Sequence, residues 1–119
     1  MRIATWNINS IRLRINQVLN FLKSQNIDIV CLQETKTPNE FFPSSEFEKI
    51  GYVNQYFRGE KSYNGVAIIS KFKFTDTGYV NWCKKDDTRH IYIKLNNNIE
   101  LHNFYVPAGG DEPDISINP

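Results

Sequence analysis

Cysteine is scarce in this chain of 119 residues. Cys31 and Cys83 stand far apart and without metal-ligand spacing, which points away from a disulfide framework or a zinc site and towards a reduced, cytoplasmic setting. Histidine is equally rare. His90 and His102 follow no aspartate and lack metal-ligand spacing, so both read as ordinary strand residues. No apolar run approaches the ~18 residues of a membrane span, and the N-terminus turns polar too soon for a signal peptide, so no membrane partner is expected. Excess charge is absent too: 14 Lys+Arg against 13 Asp+Glu leave a net charge of +1. Any contact with nucleic acid must therefore come from a local basic surface. There is no internal repeat or low-complexity segment, and the run Asn96-Asn97-Asn98 reads as a turn between strands.

What remains is a globular composition, 40% hydrophobic and 13% aromatic. The length allows one domain, at the low end of what buries its own core. Arg2 to Trp6 is a short β-biased segment ending at a polar string, Asn7-Ile8-Asn9-Ser10. From Ser10, a plausible N-cap, Ile11, Ile15, Val18, Leu19 and Leu22 fall on one helical stripe. Asn26 closes that helix, and Ile29-Val30-Cys31-Leu32 reads as a strand buried on both faces. The opening is thus a βαβ unit. Beyond Pro38 the pattern becomes β-rich, with candidate strands over Tyr52–Arg58, Gly65–Ser70, Phe72–Tyr79, Ile91–Leu95 and Ile99–Val106. Gly59, Asn64-Gly65, Gly78 and the triple Asn read as the turns between them. The tail from Pro107 to Pro119 is turn-rich. The mixture predicts an α/β sandwich.

Asn7 follows the first strand and Glu34 the second, and the carboxyl ends of parallel strands mark the ligand crevice of an open α/β sheet. A carboxylate beside an amide oxygen suits Mg²⁺, which commonly takes one or two carboxylates and completes its shell with water and substrate phosphate. Taken alone, Glu34 also reads as a surface or capping carboxylate and Asn7 as a turn former. Tyr105 ends a later strand, where its phenol could donate to a phosphate oxygen or, once ionised, act as a base; a half-buried strand tyrosine is the plainer reading. Arg12, Arg14 and Lys36 make a candidate phosphate rim that a solvated helix face explains almost as well. Tyr63-Asn64-Gly65 reads as a turn whose glycine permits close backbone approach. The pattern Asp-x-Asn, which would supply a second pair of hard ligands, occurs nowhere.

Four segments, Trp6-Asn7-Ile8-Asn9, Leu32-Gln33-Glu34-Thr35-Lys36, Tyr63-Asn64-Gly65-Val66-Ala67 and Asn103-Phe104-Tyr105-Val106-Pro107, stand in the order and approximate spacing of the exodeoxyribonuclease III family. The chain resembles these class II apurinic/apyrimidinic endonucleases of the endonuclease/exonuclease/phosphatase superfamily, and in particular their N-terminal half. The resemblance implies an α/β fold, half of a four-layered sandwich in which two mixed β-sheets are flanked by helices, with residues 1–119 forming a partial domain. It implies that Glu34 and Asn7 bind the metal, Mg²⁺ or Mn²⁺, that Tyr105 is the active-site tyrosine, and that Arg12, Lys36 and Tyr63 lie along the DNA backbone. Ala108 departs from relatives that carry Asn there.

The implied activity is metal-dependent hydrolysis of DNA at abasic sites and 3′ ends in double-stranded DNA. The family's Asp-x-Asn and Asp-His elements lie in a second half that this sequence does not contain, so the 119-residue chain alone is expected to be inactive. Alternatives are a phosphodiesterase or phosphatase of the same superfamily with a non-DNA substrate, and a non-catalytic interaction module. The half-length further predicts one sheet without its facing sheet, inner residues such as Ile68 and Ile93 poorly covered, and self-association through the exposed face.

Overall fold

The computed structural model describes residues 1–80 and 88–106. Cys83 and the tail from Pro107 lie outside the described residues. The βαβ unit forms as the pattern predicts: β1 (Ile3–Asn7), α1 (Ile11–Ser24) and β2 (Ile29–Gln33), with β1 and β2 parallel. The Ser10 hydroxyl accepts from the Leu13 N–H at 3.4 Å and caps the helix. Asn26 takes a left-handed conformation just beyond it, φ 51°, which lets the Ile27 N–H reach the Leu22 carbonyl. The apolar stripe of α1 buries Ile11, Val18 and Leu22 against the sheet.

β3 (Asn54–Arg58) and β4 (Val66–Ser70) complete a mixed sheet in the order β1-β2-β4-β3. Both central strands, β2 and β4, are buried along their whole length. Two short helical pieces that the periodicity does not reveal, a 3-10 turn over Asn39–Phe41 and α2 (Ser44–Glu48), lie between β2 and β3. They are too short to show a helical repeat. Their role is to carry Phe42 and Phe47 into the core, where Phe42 stacks on Phe57 with ring centroids 4.0 Å apart.

The expectation of one sheet lacking its facing sheet is wrong. β5 (Phe74–Gly78), β6 (His90–Leu95) and β7 (Glu100–Phe104) make a second, antiparallel sheet that packs on the first. Ile91, Ile93 and Leu95 alternate inward from β6 and meet Ile29, Cys31, Val66 and Ile68 of the first sheet. Ile68 and Ile93 are therefore both fully buried, not poorly covered. Alternation reveals which residues turn inward, but not which strand covers them. The result is three layers, helix on sheet on sheet, with one core on each side of the first sheet. No helix among the described residues is long and apolar enough to cross a membrane.

Gly78 is not a turn residue; it is the last residue of β5, opposite Tyr92. A Cβ there would come within 2.4 Å of the Tyr92 hydroxyl, so the glycine leaves room for the ring to lie across the strand. The triple Asn does form the β6–β7 turn, with Asn98 left-handed at φ 65°.

The histidines are strand residues, as expected, but they are linked. The Val80 N–H donates to Nδ1 of His90 at 2.9 Å, Nε2 of His90 lies 2.9 Å from Nδ1 of His102, and Nε2 of His102 lies 3.0 Å from the Glu100 carboxylate. With both rings neutral, each hydrogen bond has one donor and one acceptor. Burial, with His102 and Arg58 nearby, pushes the His90 pKa below the ordinary histidine range. A base held neutral by the fold contributes stability above its unfolded pKa of ~6.5, which is lost as pH falls through the lowered value. Urea denaturation should therefore show lower stability at acid pH than at neutral pH, with the difference reduced in His90→Gln.

The covered second sheet makes a further prediction. Ile93→Ala should cost ~2–5 kcal/mol in urea denaturation, as for a fully packed core isoleucine, whereas Leu13→Ala, at an exposed position, should cost under ~0.5 kcal/mol.

Candidate active site

Beyond Gln33 the chain does not continue as regular strand. Glu34 and Lys36 have left-handed backbones, φ 54° and 52°, each costing ~1–2 kcal/mol for a residue with a side chain. Hydrogen bonds on both sides hold this segment in place. From the β1–α1 loop, the Ser10 N–H donates to the Glu34 carbonyl at 2.8 Å and the Ile11 N–H to that of Thr35 at 3.0 Å. On the other side, the Thr35 N–H donates to the Gly65 carbonyl at 3.2 Å and the Lys36 N–H to that of Asn64 at 2.9 Å. Gly65 is required twice over: its φ is 94°, and a Cβ would lie 2.0 Å from the Thr35 hydroxyl. The close backbone approach expected at this glycine is thus to Thr35.

Asn7 is the last residue of β1 and pairs with Gln33, the last of β2. Ala4 and Trp6 pack towards α1, so Thr5 and Asn7 fall on the opposite face of β1. Gln33 shares that face, because its Nε2 donates to the Thr5 hydroxyl at 2.9 Å. Across the gap between the sheets, Nε2 of Gln33 also donates to Oδ1 of Asn103 at 2.7 Å. The amide nitrogen of Asn103 in turn donates to the carbonyls of Leu32 and Ala67, at 2.9 and 2.8 Å. Two residues further on, the Tyr105 phenol lies within electrostatic reach of the Glu34 carboxylate, and the Tyr105 N–H donates to the Arg89 carbonyl at 2.8 Å. The fold thus brings Glu34 and Tyr105 near one another, with Asn7 at the adjacent strand end.

Burial, then the neighbouring Glu34 carboxylate, raise the Tyr105 pKa above the ordinary tyrosine value, against a smaller lowering by Arg89. Without a metal, the phenol is therefore a protonated donor.

Arg12 and Lys36 line one cleft of about 410 Å³, shared with Pro38, Glu40, Phe41 and Lys61. Lys36 reaches it from the strained segment, its ammonium donating to Oδ1 of Asn9. Tyr63 is not among the lining residues; it stands 70% exposed on the β3–β4 loop, next to Ser62, which is. Reading the motifs did not disclose the structural roles of Gln33 and Asn103. Gln33 carries a signal, as the one polar side chain ending the apolar strand β2, whereas Asn103 stands among the polar residues of β7 and carries none.

Among the described residues there is no group of three or more His, Cys, Asp and Glu side chains able to hold a metal. Glu34 offers one carboxylate and Asn7 one amide oxygen at the neighbouring strand end, which fits part of a Mg²⁺ shell that water and substrate oxygen would complete.

The proximity of Glu34 and Tyr105 can be read directly. In the presence of a chelator, residue-resolved NMR titration should find Tyr105 ionising above the usual tyrosine range, and Glu34→Gln should lower it part of the way by removing the nearby charge, burial being the larger cause. An unchanged Tyr105 titration in the variant would contradict the proximity.

Comparison with known proteins bears on the fold and the family. The exodeoxyribonuclease of Bacillus subtilis is 34% identical over 110 residues, covering 90% of this chain and 43% of that protein. Among solved structures, an AP endonuclease from Archaeoglobus fulgidus is 43% identical with a TM-score of 0.81, over 90% of this chain and 42% of its own. A Neisseria 3′ phosphatase, NExo, bound to a product DNA hairpin, is 32% identical with a TM-score of 0.86, over 98% of this chain and 46% of its own. The chain therefore spans less than half the length of these relatives. The two-sheet fold, the order of the four motifs and a match to the family over residues 4–116 lead to one assignment: the chain belongs to the endonuclease/exonuclease/phosphatase family, and its relatives there are exodeoxyribonucleases and AP endonucleases.

Proposed function

We propose that this chain forms the metal-holding and phosphate-orienting part of a DNA-repair nuclease of the exodeoxyribonuclease III type, which hydrolyses phosphodiesters of double-stranded DNA at abasic sites and 3′ ends. The observation that carries the reading is the placement of Glu34 and Tyr105 near one another, beside the β1 strand end that bears Asn7. The nuclease names of the relatives favour DNA over a lipid or inositol phosphate.

In this reading Glu34 and Asn7 hold Mg²⁺ or Mn²⁺ through hard oxygens. When bound, the cation supplies neutralisation of charge on the reacting phosphate. Tyr105, kept protonated, donates to a phosphate oxygen and turns the group for in-line attack by water. Arg12, Lys36 and Tyr63 contact the backbone and set the position of the strand. The sequence contains no Asp-x-Asn pair with which to activate the water. The chain by itself is expected to leave abasic duplex DNA intact, with or without Mg²⁺.

The test separates metal from backbone contacts. Mn²⁺ added to the 119-residue chain should broaden the NMR signals of Asn7, Glu34 and Tyr105 first, and Glu34→Ala should abolish that pattern. Arg12→Ala should leave the Mn²⁺ pattern unchanged while weakening duplex binding and lowering its salt slope by about one. Broadening centred elsewhere, or incision of abasic duplex by the chain alone, would overturn the assignment of roles.

A further inference from the structure

The cleft beside the site combines two features that backbone contacts do not explain together. Arg12, Lys36 and Lys61 supply three cations against the one carboxylate of Glu40. Phe41, on the short 3-10 turn, is 59% exposed among them although it is a large apolar side chain. It takes no part in the core formed by its neighbour Phe42. The Arg12 guanidinium lies over the Phe41 ring, 5.5 Å from its centroid. The cleft is joined to the candidate site through backbone: Lys36 is two residues from Glu34, and the loop leading into Arg12 is hydrogen-bonded to Glu34 and Thr35.

We propose that Phe41 is a stacking platform for one unpaired nucleobase, with Arg12, Lys36 and Lys61 engaging the phosphates on either side of it. The inference rests on the reading that the chain meets DNA, and it adds a preference. A platform of this kind needs an exposed π-face, which paired and stacked bases do not offer, whereas a frayed end or a single-stranded overhang does. The stacking itself is sequence-tolerant, because every base has a π-face, so the selection is for an unpaired state and not for a particular base. Cations alone would grip the backbone of duplex and single strand alike. The exposed phenylalanine is what distinguishes the two.

The test is binding of the 119-residue chain, without added metal, to two labelled DNAs of equal charge, a blunt duplex and a duplex whose 3′ end carries unpaired nucleotides. The frayed DNA should bind at least ~5-fold more tightly, the low end of the effect of one base stacking on an aromatic ring. Phe41→Ala and Phe41→Leu should both erase that difference while leaving the salt slope of blunt-duplex binding unchanged, and Phe41→Trp should restore it. Because Phe41 is exposed, these variants should keep the wild-type thermal midpoint. Equal affinity of the wild type for both DNAs, or a preference that survives Phe41→Leu, would overturn the platform and leave the nuclease reading intact. Failure of the wild type to bind either DNA at low salt would overturn both.

Discussion

The two sheets are held in register by a pair of buried amides. Gln33 and Asn103 meet at 2.7 Å in the gap between β2 and β7, and Asn103 spends both of its N–H donors on carbonyls of β2 and β4. An amide buried in an apolar layer costs ~1–3 kcal/mol for each polar atom left without a partner. The arrangement is therefore favourable only at one relative placement of the sheets. A slip of one residue in β7 would turn Asn103 outward and leave the Leu32 and Ala67 carbonyls with only their ladder bonds. Apolar packing of Ile91, Ile93 and Leu95 drives the sheets together but tolerates sliding. The amide pair supplies the directional part, and its position matters because Gln33 directly precedes Glu34 and Asn103 stands two residues before Tyr105.

From that fixed point, the segment from Glu34 to Lys36 distributes its side chains to two places. Its alternating left-handed backbone is unfavourable in isolation and persists because the β1–α1 loop and the Asn64-Gly65 turn satisfy it on both sides. Glu34 then lies near Tyr105, whereas Lys36 turns towards Asn9 and the basic cleft. A regular strand would have put residues 34 and 36 on the same face. The strained backbone thus separates the proposed metal site from the basic cleft, although only one residue lies between them.

Much of this was legible in the residues. The 3.6-residue repeat shows α1, and β-biased apolar runs bounded by turn residues show the seven strands. The facing sheet escaped because a stripe such as Ile91-Ile93-Leu95 says that something covers it and is silent about what. The 3-10 turn and α2 escaped for want of length. Gly78 was misread because glycine in a strand and glycine in a turn look alike until Tyr92 is seen to lie across it. Motif order groups Glu34, Asn7 and Tyr105, and the fold sets Asn7 opposite Gln33, the residue before Glu34. The clamp made by Gln33 and Asn103 was not legible, since a contact across some seventy residues leaves no local periodicity.

Charge gives the last constraint on how the cleft can work. With a net charge of +1 the chain has no long-range field to draw in a polyanion, and at physiological salt the Debye length is ~8 Å. In the proposed function Arg12, Lys36 and Lys61 would therefore act only once a phosphate is already at contact distance. Cations placed that way orient more than they recruit. Orientation is also the greater need beside a carboxylate such as Glu34, which repels a phosphate unless something fixes the strand and something neutralises the charge. Three cations on one side of the strained segment and a protonated phenol on the other answer the first requirement from two directions. The second falls to a cation held at Glu34 in the proposed site, so the acidic and basic sides of residues 34–36 are complementary parts of one electrostatic arrangement.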